Sequence, residues 1–214
     1  MRFRGFIIVC GLVLAVLLFA DRRAVSHPQA RSSQVADLTE TPGTKKNSNA
    51  RSGTRIISPA ALIPGTWDAA QVPAERLIAP LVVMVLTSPQ QQLSVENIAN
   101  WETQHGYVPQ GAIIAVRRVG SGQASLSDQF PISLDAALFL MDARYARGFI
   151  IETPARFGSD RRLSRQIALH GNYVVEQSAP LAKLPVSGSL IIVAPEKSRN
   201  AAQSPVRVLA IVPT

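Results

Sequence analysis

Apolar runs of strand length alternate with capped helical segments along most of this chain, and that alternation limits the possible folds. Predicted strands cover residues 35–39, 81–86, 111–116, 148–151, 173–175, 189–194 and 206–212. Two predicted helices follow Ser94 and Ser133, whose side chains can cap a first helical turn. The first should stop at His105–Gly106, and the second extends over about residues 134–146. A third covers residues 163–170. About three helices among seven or eight strands predict an α/β domain with a mixed sheet.

Composition supports one domain and argues against a nucleic-acid partner. The chain has 214 residues, of which 47% are hydrophobic, so it can bury one good core. Its formal net charge is +8, but the basic residues are dispersed and aromatic residues make up only 6%. A nucleic-acid-binding surface would require a basic stripe with interleaved aromatic residues or a known binding fold. We therefore expect no nucleic-acid partner.

The N-terminus has the pattern of a targeting segment. Arg2 and Arg4 precede an unbroken apolar run at residues 5–20, and Arg22 and Arg23 follow it. As a helix this run would extend about 24 Å, less than a hydrocarbon core of about 30 Å. The pattern favours a signal peptide at residues 1–20, and an uncleaved signal anchor is the alternative. Either one predicts an exported protein, periplasmic or extracellular, or one anchored to the membrane by residues 5–20.

This interpretation divides the chain into three parts. After the leader, residues 21–34 form a polar tether, and residues 35–214 form the folded domain. The sole cysteine, Cys10, lies in the apolar leader, so the domain cannot form an internal disulfide.

One segment connects the chain to a known family. Residues 51–61 read Arg-Ser-Gly-Thr-Arg-Ile-Ile-Ser-Pro-Ala-Ala, with Gly53, Thr54 and Pro59 at fixed spacing. This frame resembles the His-x-Gly-Thr-His-x-Asp-x-Pro-x-His motif of the cyclase family of metal-dependent hydrolases, which includes the bacterial kynurenine formamidases. The resemblance extends over residues 35–213. It implies the swivelling β/β/α fold of the cyclase and kynurenine formamidase type, here shortened near its start and preceded by an N-terminal apolar helix.

The same resemblance identifies positions where the family holds zinc or a similar divalent ion. Four of them lie in the first motif, and two more are a histidine and a glutamate twelve residues apart. In this chain the six positions are Arg51, Arg55, Ile57, Ala61, Ser164 and Glu176. An arginine only donates hydrogen bonds, and isoleucine and alanine have no lone pairs. We therefore expect no metal cofactor, no intact catalytic set and a residual pocket formed by Arg51, Arg55 and Glu176.

The retained carboxyl group poses a charge problem. A buried carboxylate without a partner is costly, and in the family the metal supplies the opposite charge. We hypothesise that Arg55, or else Arg51, takes the place of the ion and pairs with Glu176. The alternative is that Glu176 turns outward and both arginines are ordinary solvated side chains.

These observations leave several functions open. The leading hypothesis is an exported or membrane-tethered pseudoenzyme that binds a small anionic ligand or a protein partner. One alternative is an active metal-dependent hydrolase of the arylformamidase class, which cleaves carbon–nitrogen bonds in substrates of the N-formylkynurenine type. Another is a product without a selected role. The resemblance also implies self-association into homo-oligomers.

Overall fold

The computed structural model describes residues 33–40, 53–88, 91–119, 129–152, 157–176, 178, 180–197 and 201–214. The predicted leader, nearly all of the predicted tether, and Arg51 lie outside these residues. So do residues 41–50 and 120–128.

Eight strands form one mixed sheet, as the sequence predicts. They are β1 (Ser33–Asp37), β2 (Arg55–Ile57), β3 (Ile78–Leu86), β4 (Ile113–Arg118), β5 (Gly148–Ile151), β6 (Tyr173–Glu176), β7 (Ser189–Pro195) and β8 (Gln203–Pro213). Their order is β1-β8-β2-β6-β5-β4-β3-β7, and β7 also pairs with β8. Strands β2 to β8 therefore close into a seven-stranded barrel, with β1 added along β8. Strands β3, β4, β5 and β6 are mutually parallel.

Three helices lie against the barrel: α1 (Val95–His105), α2 (Leu134–Ala143) and α3 (Arg161–Leu169). Helix α1 begins and ends as predicted, because Ser94 forms a capping box at its start and Gly106 adopts φ 84° at its end. Helix α2 ends three residues before the predicted position, because Tyr145 adopts a left-handed φ of 55°. Within the described residues, none of the helices combines the length and the apolar composition that crossing a bilayer requires.

Alternation along the strands creates two apolar cores on opposite faces of the sheet. One core fills the barrel, and its members include Ile56, Tyr173 and Val175. The other lies between the barrel and the helices and includes Val174 and Ile167. Because successive side chains of a strand point to opposite faces, Glu176 belongs to the helix side of β6.

Several strands differ from the sequence-based prediction. Strands β3 and β8 each begin three residues earlier than predicted, and β4 lies two residues later along the chain. Strand β1 begins at Ser33, two residues before the predicted strand. Strand β2 was not predicted because it has only three residues inside the recognised motif. It forms because Ile56 is buried in the barrel and because β2 pairs with β6 on one side and β8 on the other.

Candidate functional site

The candidate site lies where several strand ends meet at one edge of the sheet. Strands β4, β5 and β6 are parallel, so their carboxyl ends share this edge, and the antiparallel strand β2 begins there. Glu176 is the last residue of β6 and Arg55 is the first residue of β2. The two are directly opposite in the strand register, so their side chains share a face of the sheet.

Glu176 is a buried carboxyl group with a strongly shifted pKa. Only 7% of the residue is exposed, and Oε1 accepts a hydrogen bond from the Phe157 backbone N–H at 3.2 Å. Burial raises the pKa of Glu176 to about 7, and the Phe157 hydrogen bond and the charge of Arg55 oppose that rise. The sequence-based alternative in which Glu176 turns to solvent is therefore wrong.

Arg55 acts on Glu176 through its charge without direct contact. Among the described residues, Arg55 and Glu176 form no hydrogen bond or ion pair with each other. The hypothesis of a direct Arg55–Glu176 pair is thus wrong for Arg55, and Arg51 lies outside the described residues. Burial is instead tolerated because the raised pKa lets the carboxyl group take up a proton near neutral pH.

Ser164 is brought close to Glu176 by a short loop. Ser164 is buried on α3, and its Oγ accepts a hydrogen bond of 2.9 Å from the Gly158 N–H. The preceding amide, that of Phe157, donates to Glu176. Two consecutive amides therefore join two positions that the sequence places twelve residues apart.

Two further predicted positions lie nearby and offer no ligand atoms. Ile57 is buried and, two residues after Arg55, lies on the same face of β2. Ala61 ends a 3₁₀ turn, Pro59–Ala61, that packs against α3. The fold thus gathers these motif positions in one region.

The motif positions that the structure describes offer too few ligand atoms for a divalent metal. Such an ion in a catalytic site takes about three protein ligands at roughly 2.0–2.3 Å. The part of the chain that the structure describes contains no cluster of three or more His, Cys, Asp or Glu side chains that could hold one. Of the five described motif positions, only Glu176 has a carboxylate.

The described histidines lie elsewhere. His170 contacts the Gln166 carbonyl through Nδ1 and Asp142 through Nε2. The ring of His105 lies 5.0 Å from the ring of Trp101. Each therefore has a local structural contact.

Glu152 is a second, half-buried carboxyl group at this edge, and the sequence-based prediction of the site did not include it. It follows β5, and its Oε1 accepts a hydrogen bond from the Leu181 N–H. Burial raises the pKa of Glu152, while the Leu181 hydrogen bond and the charge of Arg117 lower it. Leu181 belongs to the barrel core, so Glu152 faces the barrel side whereas Glu176 faces the helices. An acidic residue directly after a buried strand was the available signal.

Comparisons with known proteins agree with this architecture. The sequence profile of a family described as "Putative cyclase" matches residues 23–156, more than half of the chain. This match shows that the chain belongs to the cyclase family. No curated protein sequence gives a significant match.

Solved structures share the fold at low sequence identity. Isatin hydrolase A from Labrenzia aggregata, bound to benzyl benzoate, has a TM-score of 0.72 and 22% identity, covering 94% of this chain and 100% of that chain. Isatin hydrolase A from Ralstonia solanacearum has a TM-score of 0.70 and 21% identity, with coverage of 95% and 97%. A potential metal-dependent hydrolase with cyclase activity has a TM-score of 0.65 and 18% identity, with coverage of 86% and 100%.

Proposed function

We propose that this chain is a non-catalytic member of the cyclase family that binds a small anionic ligand beside Arg55 and Glu176. One observation carries the proposal: an arginine lies directly opposite the remaining buried carboxyl group, at a position where the family motif has a metal ligand. At this edge the positive charge of Arg55 would bind the ligand, and no metal ion would take part.

Loss of hydrolysis follows from the chemistry of the side chains. Hydrolysis in such a family depends on a metal ion that lowers the pKa of a bound water. Arg55 would repel that ion, and Ile57 and Ala61 cannot bind it. The Ser164 hydroxyl already accepts a hydrogen bond from Gly158, and Glu176 is half-protonated near pH 7. These properties support a site without a metal-activated water.

Arg55 is suited to recognise a carboxylate. Its side chain is partly exposed, and among the described residues it forms no hydrogen bond or ion pair. A guanidinium group can bind a carboxylate through two parallel hydrogen bonds. When Glu176 is protonated, it does not repel an anion next to Arg55. We infer that the ligand is a small carboxylate and that it binds better below pH 7 than above it.

We also propose that the N-terminal segment exports the chain or tethers it to a membrane. The support is the apolar run at residues 5–20 with arginines on both sides. Expression in a bacterial host, followed by fractionation and N-terminal sequencing of the recovered chain, tests this part. Recovery from the cytoplasmic fraction with an intact N-terminus would contradict it.

Ligand binding is tested with benzoate as the probe and two arginine variants. Arg55→Met removes the cation of the candidate site. Arg207→Met is the control, because Arg207 is exposed and pairs with Asp37 on β1. Benzoate should raise the melting temperature of the wild-type chain and of the control but leave that of Arg55→Met unchanged. An equal response of all three chains would contradict the proposal.

The competing function is metal-dependent hydrolysis, favoured by the similarity to solved hydrolases. The direct assay follows cleavage of an N-formyl aromatic amide by the full chain in the presence of zinc or manganese. We expect no turnover above that of the Glu176→Gln variant. Turnover that requires Glu176 would establish a working hydrolase.

A further inference from the structure

One face of the barrel carries apolar side chains that no helix covers in the described part of the chain. The side chains form two rows across neighbouring strands, and together we name them the apolar outer face. The first row contains Pro80, Leu190, Ile211 and Val35. The second row contains Ile78, Ile192 and Leu209.

Strand alternation fixes the outward direction of these side chains. Their neighbours along the strands, such as Ala79, Ile191 and Ala210, are buried in the barrel core. None of the seven belongs to either core cluster. Val35 is 61% exposed, Ile78 is 56% exposed and Leu190 is 45% exposed. The other four side chains are partly exposed. Adjacent aliphatic side chains that remain accessible to solvent are typical of an interaction surface.

The segment that precedes β1 in the sequence has the composition of a membrane-proximal segment. β1 begins at Ser33, which pairs with Pro213 beside the first row. The residues between the apolar run and β1, 21–32, contain Arg22, Arg23 and Arg31 and a single acidic residue, Asp21. Twelve residues can extend at most about 40 Å, which sets an upper limit on the distance between β1 and a membrane that holds residues 5–20. Basic residues close to a membrane are attracted to anionic lipids.

We propose that the apolar outer face rests on an anionic lipid bilayer to which the N-terminal apolar run holds the chain. This inference depends on the tethering proposed above. The aliphatic side chains of β1, β3, β7 and β8 enter the headgroup region, and the basic connector interacts with the anionic headgroups. The edge with Arg55 and Glu176 stays accessible to ligands from the aqueous side.

Site-specific fluorescence on the full chain tests the contact. In a Cys10→Ser background, one environment-sensitive label is attached to a Leu190→Cys variant and another to a Tyr107→Cys variant. Tyr107 is the control because it is 81% exposed and follows α1, outside the apolar outer face. Val35→Cys provides a second probe of the same face if Leu190→Cys does not fold. The chains are reconstituted in vesicles of phosphatidylcholine and phosphatidylserine that contain acyl-chain nitroxide quenchers.

Flotation of the vesicles first shows whether the chain is tethered at all. With tethered chain, the label at position 190 should shift to the blue and be quenched several-fold more than the label at position 107. Equal quenching at both positions in floating vesicles would overturn the docking but leave the tether intact. A chain that does not float would overturn both proposals. If the label at position 190 is shielded without lipid and the molecular mass is doubled, a second copy of the chain covers the apolar outer face. That result would also overturn the inference.

Discussion

Arg55 lies directly opposite Glu176 on antiparallel neighbouring strands, and its positive charge lowers the pKa of that carboxyl group without an ion pair among the described residues. A cation thus occupies a motif position where the family places a metal ligand. The charge of Arg55 does not offset burial, which still raises the pKa of Glu176 to about 7.

Removing the charge of Arg55 should raise the pKa of Glu176 further. In the Arg55→Met variant, desolvation would be opposed by the Phe157 hydrogen bond alone. NMR titration of carboxyl-labelled glutamate measures the change. Arg207→Met, which removes a distant exposed cation, should leave the titration of Glu176 unchanged. An unaltered Glu176 titration in Arg55→Met would show that the two charges are not coupled.

The stability of the protein should fall as pH rises through the range in which Glu176 titrates. The folded pKa is about 7 and the ordinary value is 4.5, so between them the folded chain holds a proton that the unfolded chain releases. The contribution of Glu176 to stability is therefore fully present below pH 4.5 and is lost as pH rises through 7. The loss is on the order of 3 kcal/mol of unfolding free energy.

Glu176→Gln tests this pH dependence, because glutamine can still accept the Phe157 hydrogen bond and does not ionise. Urea denaturation at several pH values should show a smaller loss of stability in this variant than in the wild-type chain. Glu96→Gln, at an exposed position on α1, is the control and should retain the wild-type slope. Parallel curves for Glu176→Gln and the wild-type chain would contradict the shifted pKa.

Ser164 should support the loop that holds Glu176. In Ser164→Ala the partly buried amide of Gly158 loses its acceptor, which should cost about 0.5–1.5 kcal/mol of unfolding free energy. Thr103→Ala on the exposed face of α1 is the control and should change stability by less than about 0.5 kcal/mol. If the loop loosens, the hydrogen bond from Phe157 weakens and the Glu176 pKa rises. A stable variant with an unchanged Glu176 titration would show that the Ser164 contact has no such role.

Local signals predicted much of the fold. Ser94, Asn97 and Gly106 specify both ends of α1 because capping depends on residues within a few positions of each other. The apolar run of β5 gave its bounds without error. Closure of the barrel was not predicted, because it depends on β8 pairing with β2 and β7, and non-local pairing leaves no local pattern.

The site was only partly predictable for the same reason. The family motif identified Arg55, Ser164 and Glu176, and the fold brings these positions together. Strand pairing places Arg55 opposite Glu176, and the conformations of the two side chains leave them without direct contact. Neither feature can be read from the local sequence. Glu152 was missed as a site residue because its burial depends on Leu181 and the barrel core.

Metal stoichiometry tests the central claim most directly. The detergent-solubilised full chain and its Glu176→Gln variant are incubated with zinc or manganese, dialysed, and measured by mass spectrometry for metal per chain. We expect both chains to retain the same residual amount, far below one ion per chain, because the motif positions supply too few ligands. One retained ion per wild-type chain, lost in Glu176→Gln, would contradict the account.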